Sequence, residues 1–240
     1  MRVGIAGAGL IGGSLALALR DRHDVVAFDP AGTGEIAGTP TLAGLFPADV
    51  VIVATPLALI VPTLAALAPL AGTTVLLDVG SVKREVARFA AGAPAHARIV
   101  GGHPMAGSTQ SGHAAARADL FHDRPFLLVP TARSDDAAMA IAGDLARAVG
   151  GIPTVLSPEV HDRAVALLSG LPLVVARALA AVGADVADLA GPGFRDMTRL
   201  ATTPGPLADA MLAGNADEIR AALAAFRAAL ATAEQELGPR

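Results

Sequence analysis

Two short segments of this chain carry side chains that can move protons, and a third is built to hold a phosphate. His103 lies in Gly101-Gly102-His103-Pro104-Met105-Ala106-Gly107, and Ser81 lies in Asp78-Val79-Gly80-Ser81-Val82-Lys83. An imidazole titrates near neutrality, so His103 can accept a proton from a hydroxyl. Ser81 reads as the N-cap of a helix beginning at Val82. Lys83 is open to two readings, a group that takes part in the chemistry or a solvated first-turn residue of that helix, and stays outside the catalytic set. The third segment is Gly7-Ala8-Gly9-Leu10-Ile11-Gly12. Its first glycine permits a tight turn, its second lets the backbone approach a diphosphate, and its third lets a helix pack on a strand. Leu10 and Ile11 open that helix, whose N-terminus faces the phosphate charge.

Such residues need a scaffold, and the sequence supplies one. β-branched runs at Arg2 to Ala6, Asp24 to Phe28, Val50 to Ala54, Thr73 to Leu77, Arg98 to Val100, Pro125 to Val129 and Pro153 to Leu156 alternate with Ala/Leu-rich helical stretches. That pattern predicts a doubly wound, Rossmann-type, mainly parallel sheet with helices on both faces, over residues 1–156. After Leu156 the strand signal stops, and Ser157-Pro158-Glu159 starts a helix. Residues 157–240 then read as a smaller all-helical domain, with helical spacing from Glu159 to Gly183 and from Pro206 to Leu237. Gly191-Pro192-Gly193 reads as a turn between them.

In such sheets ligands collect beyond the carboxyl ends of the strands, where the glycine loop, Thr55, Ser81 and His103 all fall. Asp29 closes the second strand, where an acid can accept from both ribose hydroxyls of a dinucleotide and repels a 2′-phosphate. No guanidinium follows it, since Pro30, Ala31 and Gly32 come next. This favours NAD over NADP. Thr55, with Pro56, either caps a helix near the cofactor or caps only.

Composition narrows the partner. The formal charge of −4 has no basic block behind it, which gives no surface for nucleic acid or an anionic membrane and leaves a small molecule. No cysteine is present, so a disulfide framework, a thiolate metal site and a cysteine nucleophile are excluded, and no metal is expected. That fits a cytoplasmic protein. Glycines interrupt the apolar stretch from Arg2 to Leu19, against a signal peptide, and prolines break up Val50 to Leu77. With 53% apolar residues the chain can fill a core, and the apolar stripes of its helical half predict a homodimer.

The segments around Gly7, Ser81 and His103, together with His161-Asp162 and Gly193-Phe194-Arg195-Asp196-Met197-Thr198-Arg199-Leu200-Ala201, resemble those of the prephenate and arogenate dehydrogenases of tyrosine biosynthesis. The resemblance spans both domains. It implies an NAD-dependent oxidative decarboxylation, of prephenate to 4-hydroxyphenylpyruvate or of arogenate to tyrosine. His103 is then the general base toward the ring hydroxyl, Ser81 orients the hydroxyl or the imidazole, and Arg199 grips a substrate carboxylate with its planar fork. Arg195 is four residues away, on the same face of a helix, and competes for that role; Asp196 is a candidate partner for either.

The chain departs from the family at Ser169-Gly170-Leu171-Pro172-Leu173, where two histidines are replaced at Gly170 and Leu173. The acid some members carry within Ser108-Thr109-Gln110-Ser111-Gly112 is also missing, which leans toward prephenate, since arogenate bears an ammonium. The two domains are expected to leave no room for the fused chorismate mutase or regulatory domain of some members. Other readings are an imine or hydroxyacid reductase and a non-catalytic NAD sensor.

Overall fold

The computed structural model describes residues 1–108, 110 and 112–238; Thr109 and Ser111, within the segment compared above for an acid, lie outside the described residues. The chain divides into two compact units, Met1–His161 and Asp162–Arg240.

The first unit is a seven-stranded sheet: β1 (Arg2–Ala6), β2 (Asp24–Phe28), β3 (Val50–Val53), β4 (Val75–Asp78), β5 (Arg98–Pro104), β6 (Pro125–Pro130) and β7 (Ile152–Val155), in the order β2-β1-β3-β4-β5-β6-β7. Each neighbouring pair is parallel except β5 with β6, where Gly101 faces Val129 and His103 faces Leu127. Parallel pairing needs a crossover, usually helical. Between β5 and β6 the only regular element among the described residues is the 3-10 turn His113–Ala115, and the chain returns antiparallel.

The strands alternate between two cores, as a pleated sheet covered on both faces must. Ile5, Ile52 and Leu77 pack with Leu15 and Leu19 of α1 (Leu10–Leu19) on one face. Val51, Val53 and Leu76 pack with Leu64 and Leu67 of α2 (Leu57–Leu67) and Val86 of α3 (Arg84–Gly92) on the other. The first face also takes Leu145 of α4 (Asp136–Ala148). The sequence order reverses between β1 and β3, which opens a crevice beyond their carboxyl ends.

The second unit is helical. From α5 (Pro158–Val165) the chain passes through a π-turn, Ala166–Gly170, into α6 (Leu171–Val182). Pro172 has no amide hydrogen to give to the preceding turn, which accounts for a wider turn just before it. By length and composition alone, Pro158–Val182 is long and apolar enough to cross a membrane. Then come α7 (Pro192–Thr198), α8 (Gly205–Gly214) and α9 (Ala216–Glu236). Gly191-Pro192-Gly193 is a helix start, with Gly191 at the N-cap and Pro192 in the first turn, and not the turn expected from its glycines.

Candidate active site

The glycine loop connects β1 to α1. Gly7 has φ +97°, and a Cβ there would lie 2.6 Å from the Ala54 carbonyl oxygen, so both conformation and space require glycine. At Gly12 a Cβ would collide with the Gly7 carbonyl, which explains why helix and loop can pack so closely. Gly9 is different: nothing lies within 4 Å of where its Cβ would be. It sits at the N-cap of α1, which receives no side-chain cap, so the first-turn amides, starting with Leu10 and Ile11, face an open approach.

Asp29 stands at the end of β2, half-buried, and its carboxylate accepts from the amides of Ala8 (2.7 Å) and Ala31 (2.8 Å). It ties the glycine loop to β2 as well as ending the strand. Thr55 caps nothing: α2 has Pro56 at its N-cap, and the Thr55 hydroxyl is buried without a hydrogen-bond partner among the described residues.

His103 is on β5, not in the loop expected after it. Gly101 and Gly102 look like loop residues in sequence, but here their missing side chains make room inside the sheet. A Cβ at Gly101 would meet Lys83 Cδ at 3.0 Å, and one at Gly102 would meet the Asp78 carbonyl at 2.7 Å. The His103 Nδ1 lies 3.0 Å from Nε2 of His161, a fully buried residue in the first turn of α5, with the rings tilted 57° and their centres 5.2 Å apart. Burial, then the neighbouring His161 and Lys83, hold the His103 imidazole well below the ordinary histidine range.

Lys83 is the largest departure from the sequence reading. It is buried, not solvated, and forms an ion pair with the equally buried Asp78. Asp78 Oδ1 also accepts from the Gly80 amide (2.9 Å), while Oδ2 has no hydrogen-bond partner among the described residues. Burial pushes the Asp78 carboxyl upward, against the pull of Lys83, the Gly80 amide and His161. Removing one member of such a pair leaves an uncompensated charge and costs about 3–5 kcal/mol. Folding Lys83 inward also moves the helix start: α3 begins at Arg84 with Lys83 at the N-cap, so Ser81 caps no helix and makes no hydrogen bond to His103. Ser81 remains half-exposed in the turn after β4.

Thus β1, β3, β4 and β5 bring the glycine loop, Thr55, Ser81 and His103 to one end of one sheet. Sequence reasoning missed the histidine beside His103. Its signal was present, since His161 stood in a segment matched to the family, three residues after the helix-starting Pro158.

In the second unit Arg199 is exposed at the end of α7, where the helix tightens into the 3-10 turn Arg199–Thr202. Arg195 is within α7 and donates Nε to the Ala190 carbonyl (3.2 Å). The two arginines therefore do not share one continuous α-helix, and Asp196 forms no ion pair with either among the described residues. A Cβ at Gly170 would lie 2.6 Å from Ile219 Cγ1, so α9 fills the space beside that position, and Leu173 is buried.

Two family models match the chain: the prephenate dehydrogenase nucleotide-binding domain over residues 16–154, and the prephenate dehydrogenase dimerization domain over residues 157–238. A prephenate dehydrogenase from Bacillus subtilis is 32% identical over 241 residues, covering 90% of this chain and 64% of that protein. This chain therefore spans less than two thirds of the length of that relative. Synechocystis arogenate dehydrogenase superposes with a TM-score of 0.83 at 30% identity, covering 97% of this chain and 90% of that one. The prephenate dehydrogenase from A. aeolicus, solved with hydroxyphenyl propionate and NAD+, gives a TM-score of 0.88 at 26% identity, covering 98% and 90%. With both of its domain models matched in order along nearly the whole chain, this protein belongs to the prephenate dehydrogenase family.

Proposed function

We propose that this chain is an NAD-dependent dehydrogenase that oxidatively decarboxylates prephenate to 4-hydroxyphenylpyruvate in tyrosine biosynthesis. The observation that carries the reading is His103. It is an imidazole held in its neutral form at the carboxyl end of β5, on the same sheet edge as the glycine loop. A base that must take a hydroxyl proton needs that neutral form.

The residues fit a dinucleotide. Gly7 and Gly12 close the loop, Gly9 leaves open space for a diphosphate, and the uncapped N-terminus of α1 favours its charge. Asp29 keeps further lone pairs for ribose hydroxyls beyond the two amides it accepts from, and an acid there disfavours a 2′-phosphate. The buried Thr55 hydroxyl is a group in need of a partner. Bound NAD supplies a hydride acceptor. His103 takes the proton of the ring hydroxyl as hydride leaves the carbon beneath it. Loss of the ring carboxylate as carbon dioxide leaves its electron pair in the ring, and His103 returns the proton to the phenolate oxygen. Ser81 orients the hydroxyl, and Arg199 holds a substrate carboxylate as a permanently charged fork. The A. aeolicus and B. subtilis relatives support prephenate, and the Synechocystis relative keeps arogenate as the second reading.

The domain division at residues 156/157, a cytoplasmic location and a homodimer through the helical half complete the proposal. The dimerization-domain match supports the last. The reaction is tested by its carbon product: with prephenate and NAD the protein should release carbon dioxide and 4-hydroxyphenylpyruvate in equal amounts. His103→Asn should lower kcat by about 10²–10⁴-fold with unchanged NAD affinity. Equal losses in kcat and NAD affinity would make His103 structural.

A further inference from the structure

We infer that His161 is the positioning residue that sets the tautomer of His103. The inference rests on the reading of His103 as the general base and adds to it a second histidine with a defined task.

The geometry permits one proton between the rings. His103 Nδ1 and His161 Nε2 are 3.0 Å apart, a hydrogen-bond distance, and the 57° tilt makes this a nitrogen-to-nitrogen contact and not a stacked pair. If His161 donates, His103 must carry its other hydrogen on Nε2 and has no lone pair left to act as a base. If His103 donates from Nδ1, its Nε2 keeps the lone pair. Only the second arrangement makes His103 a base, and His161 secures it by offering an acceptor at hydrogen-bond distance from His103 Nδ1.

Both rings are held for this. His103 is fixed by the β5–β6 ladder opposite Leu127, and His161 is fully buried in the first turn of α5. The charged groups facing the pair are Asp78 from the end of β4 and Lys83 from the turn before α3, both buried. The Lys83 ammonium resists a positive charge on His103, whose ring therefore stays neutral. Glycines 101 and 102 let Lys83 and the β4 backbone come close enough to β5 for this.

The test compares His161→Leu, which removes the acceptor, with His161→Gln, whose amide oxygen can reach a similar place. The protein is the full chain, given NAD and prephenate. His161→Leu should lower kcat at least about tenfold, as expected when a base loses the group that fixes its tautomer, with KM and NAD affinity changed less than about threefold. His161→Gln should recover most of the loss. Nitrogen-15 spectra of the unmodified protein should show the His103 hydrogen on Nδ1. Unchanged turnover in His161→Leu, or a hydrogen on His103 Nε2, would overturn the inference. If His161→Leu does not fold, the spectra of the unmodified protein still decide. Full turnover in His103→Asn would be a separate failure, that of the base reading itself.

Discussion

At the scale of single residues, the account turns on how His103 is kept neutral. Its titration in the folded protein lies well below the ordinary histidine range, chiefly through burial. The base form is therefore present at every pH above that lowered value. We predict that kcat/KM stays level as pH falls from about 8 through the ordinary histidine range, and declines only well below it. A limb at or above 6.5 in the His103 profile would contradict this. Stability follows the same sign. The unfolded chain binds the proton first, so stability is lost as pH falls from about 6.5 toward the folded value and is present above it. Denaturant unfolding at several pH values should show that slope, and His103→Asn should flatten it. The place of His103 at the carboxyl end of the sheet was legible from the sequence. The burial of Lys83 was not, because a lysine in the first turn of a helix is normally solvated, and only the fold shows Asp78 reaching it behind two strand glycines. His161 was likewise visible as a residue but not as a partner, since 58 positions separate it from His103.

At the scale of elements, the glycine loop separates two functions that the sequence pattern merges. Gly12 answers to packing, whereas nothing lies within 4 Å of a Cβ at Gly9, the space that the proposal gives to the diphosphate. Gly12→Ala should cost about 1–3 kcal/mol of stability by overpacking, whereas Gly9→Ala should leave stability within about 0.5 kcal/mol. Gly9→Ala should instead weaken NAD binding about tenfold or more, because its methyl enters the space left for the diphosphate. Thermal or denaturant unfolding and a binding titration on both variants check this; equal NAD affinity in Gly9→Ala would remove Gly9 from the cofactor site. The first strands were legible to the residue, since Arg2 to Ala6 and Asp24 to Phe28 are short apolar runs bounded by turn residues. The end of β5 was not. Gly101-Gly102 reads as a breaker, and only neighbours pressing against both glycines show them to be sheet residues. The start of α3 shifted for a related reason, because the buried ion pair outweighed a serine cap worth about 1 kcal/mol.

At the scale of the whole molecule, the helical half leaves large apolar side chains uncovered. Val182 is 86% exposed, Leu189 84% and Leu168 69%. Exposed apolar side chains of that size favour an interface, and the dimerization-domain match supports the proposal of a second copy as the occupant. A mass measurement in solution should give the dimer, and Leu168→Glu with Val182→Glu should shift it toward monomer; a monomeric unmodified protein would remove the proposal. The mainly parallel sheet and helical second half were legible from alternating strand and helix patterns. The antiparallel β6 was not, because its direction depends on the connection that precedes it, in which the 3-10 turn is the only regular element among the described residues.

The central claim is tested most directly by the rate of NADH formation, followed by absorbance, with prephenate or arogenate and with NAD or NADP. The account predicts rapid turnover with prephenate and NAD, and a clear preference for NAD from the acid at Asp29. Binding of NAD without turnover of either substrate would contradict it and leave a dinucleotide-binding protein that does another task.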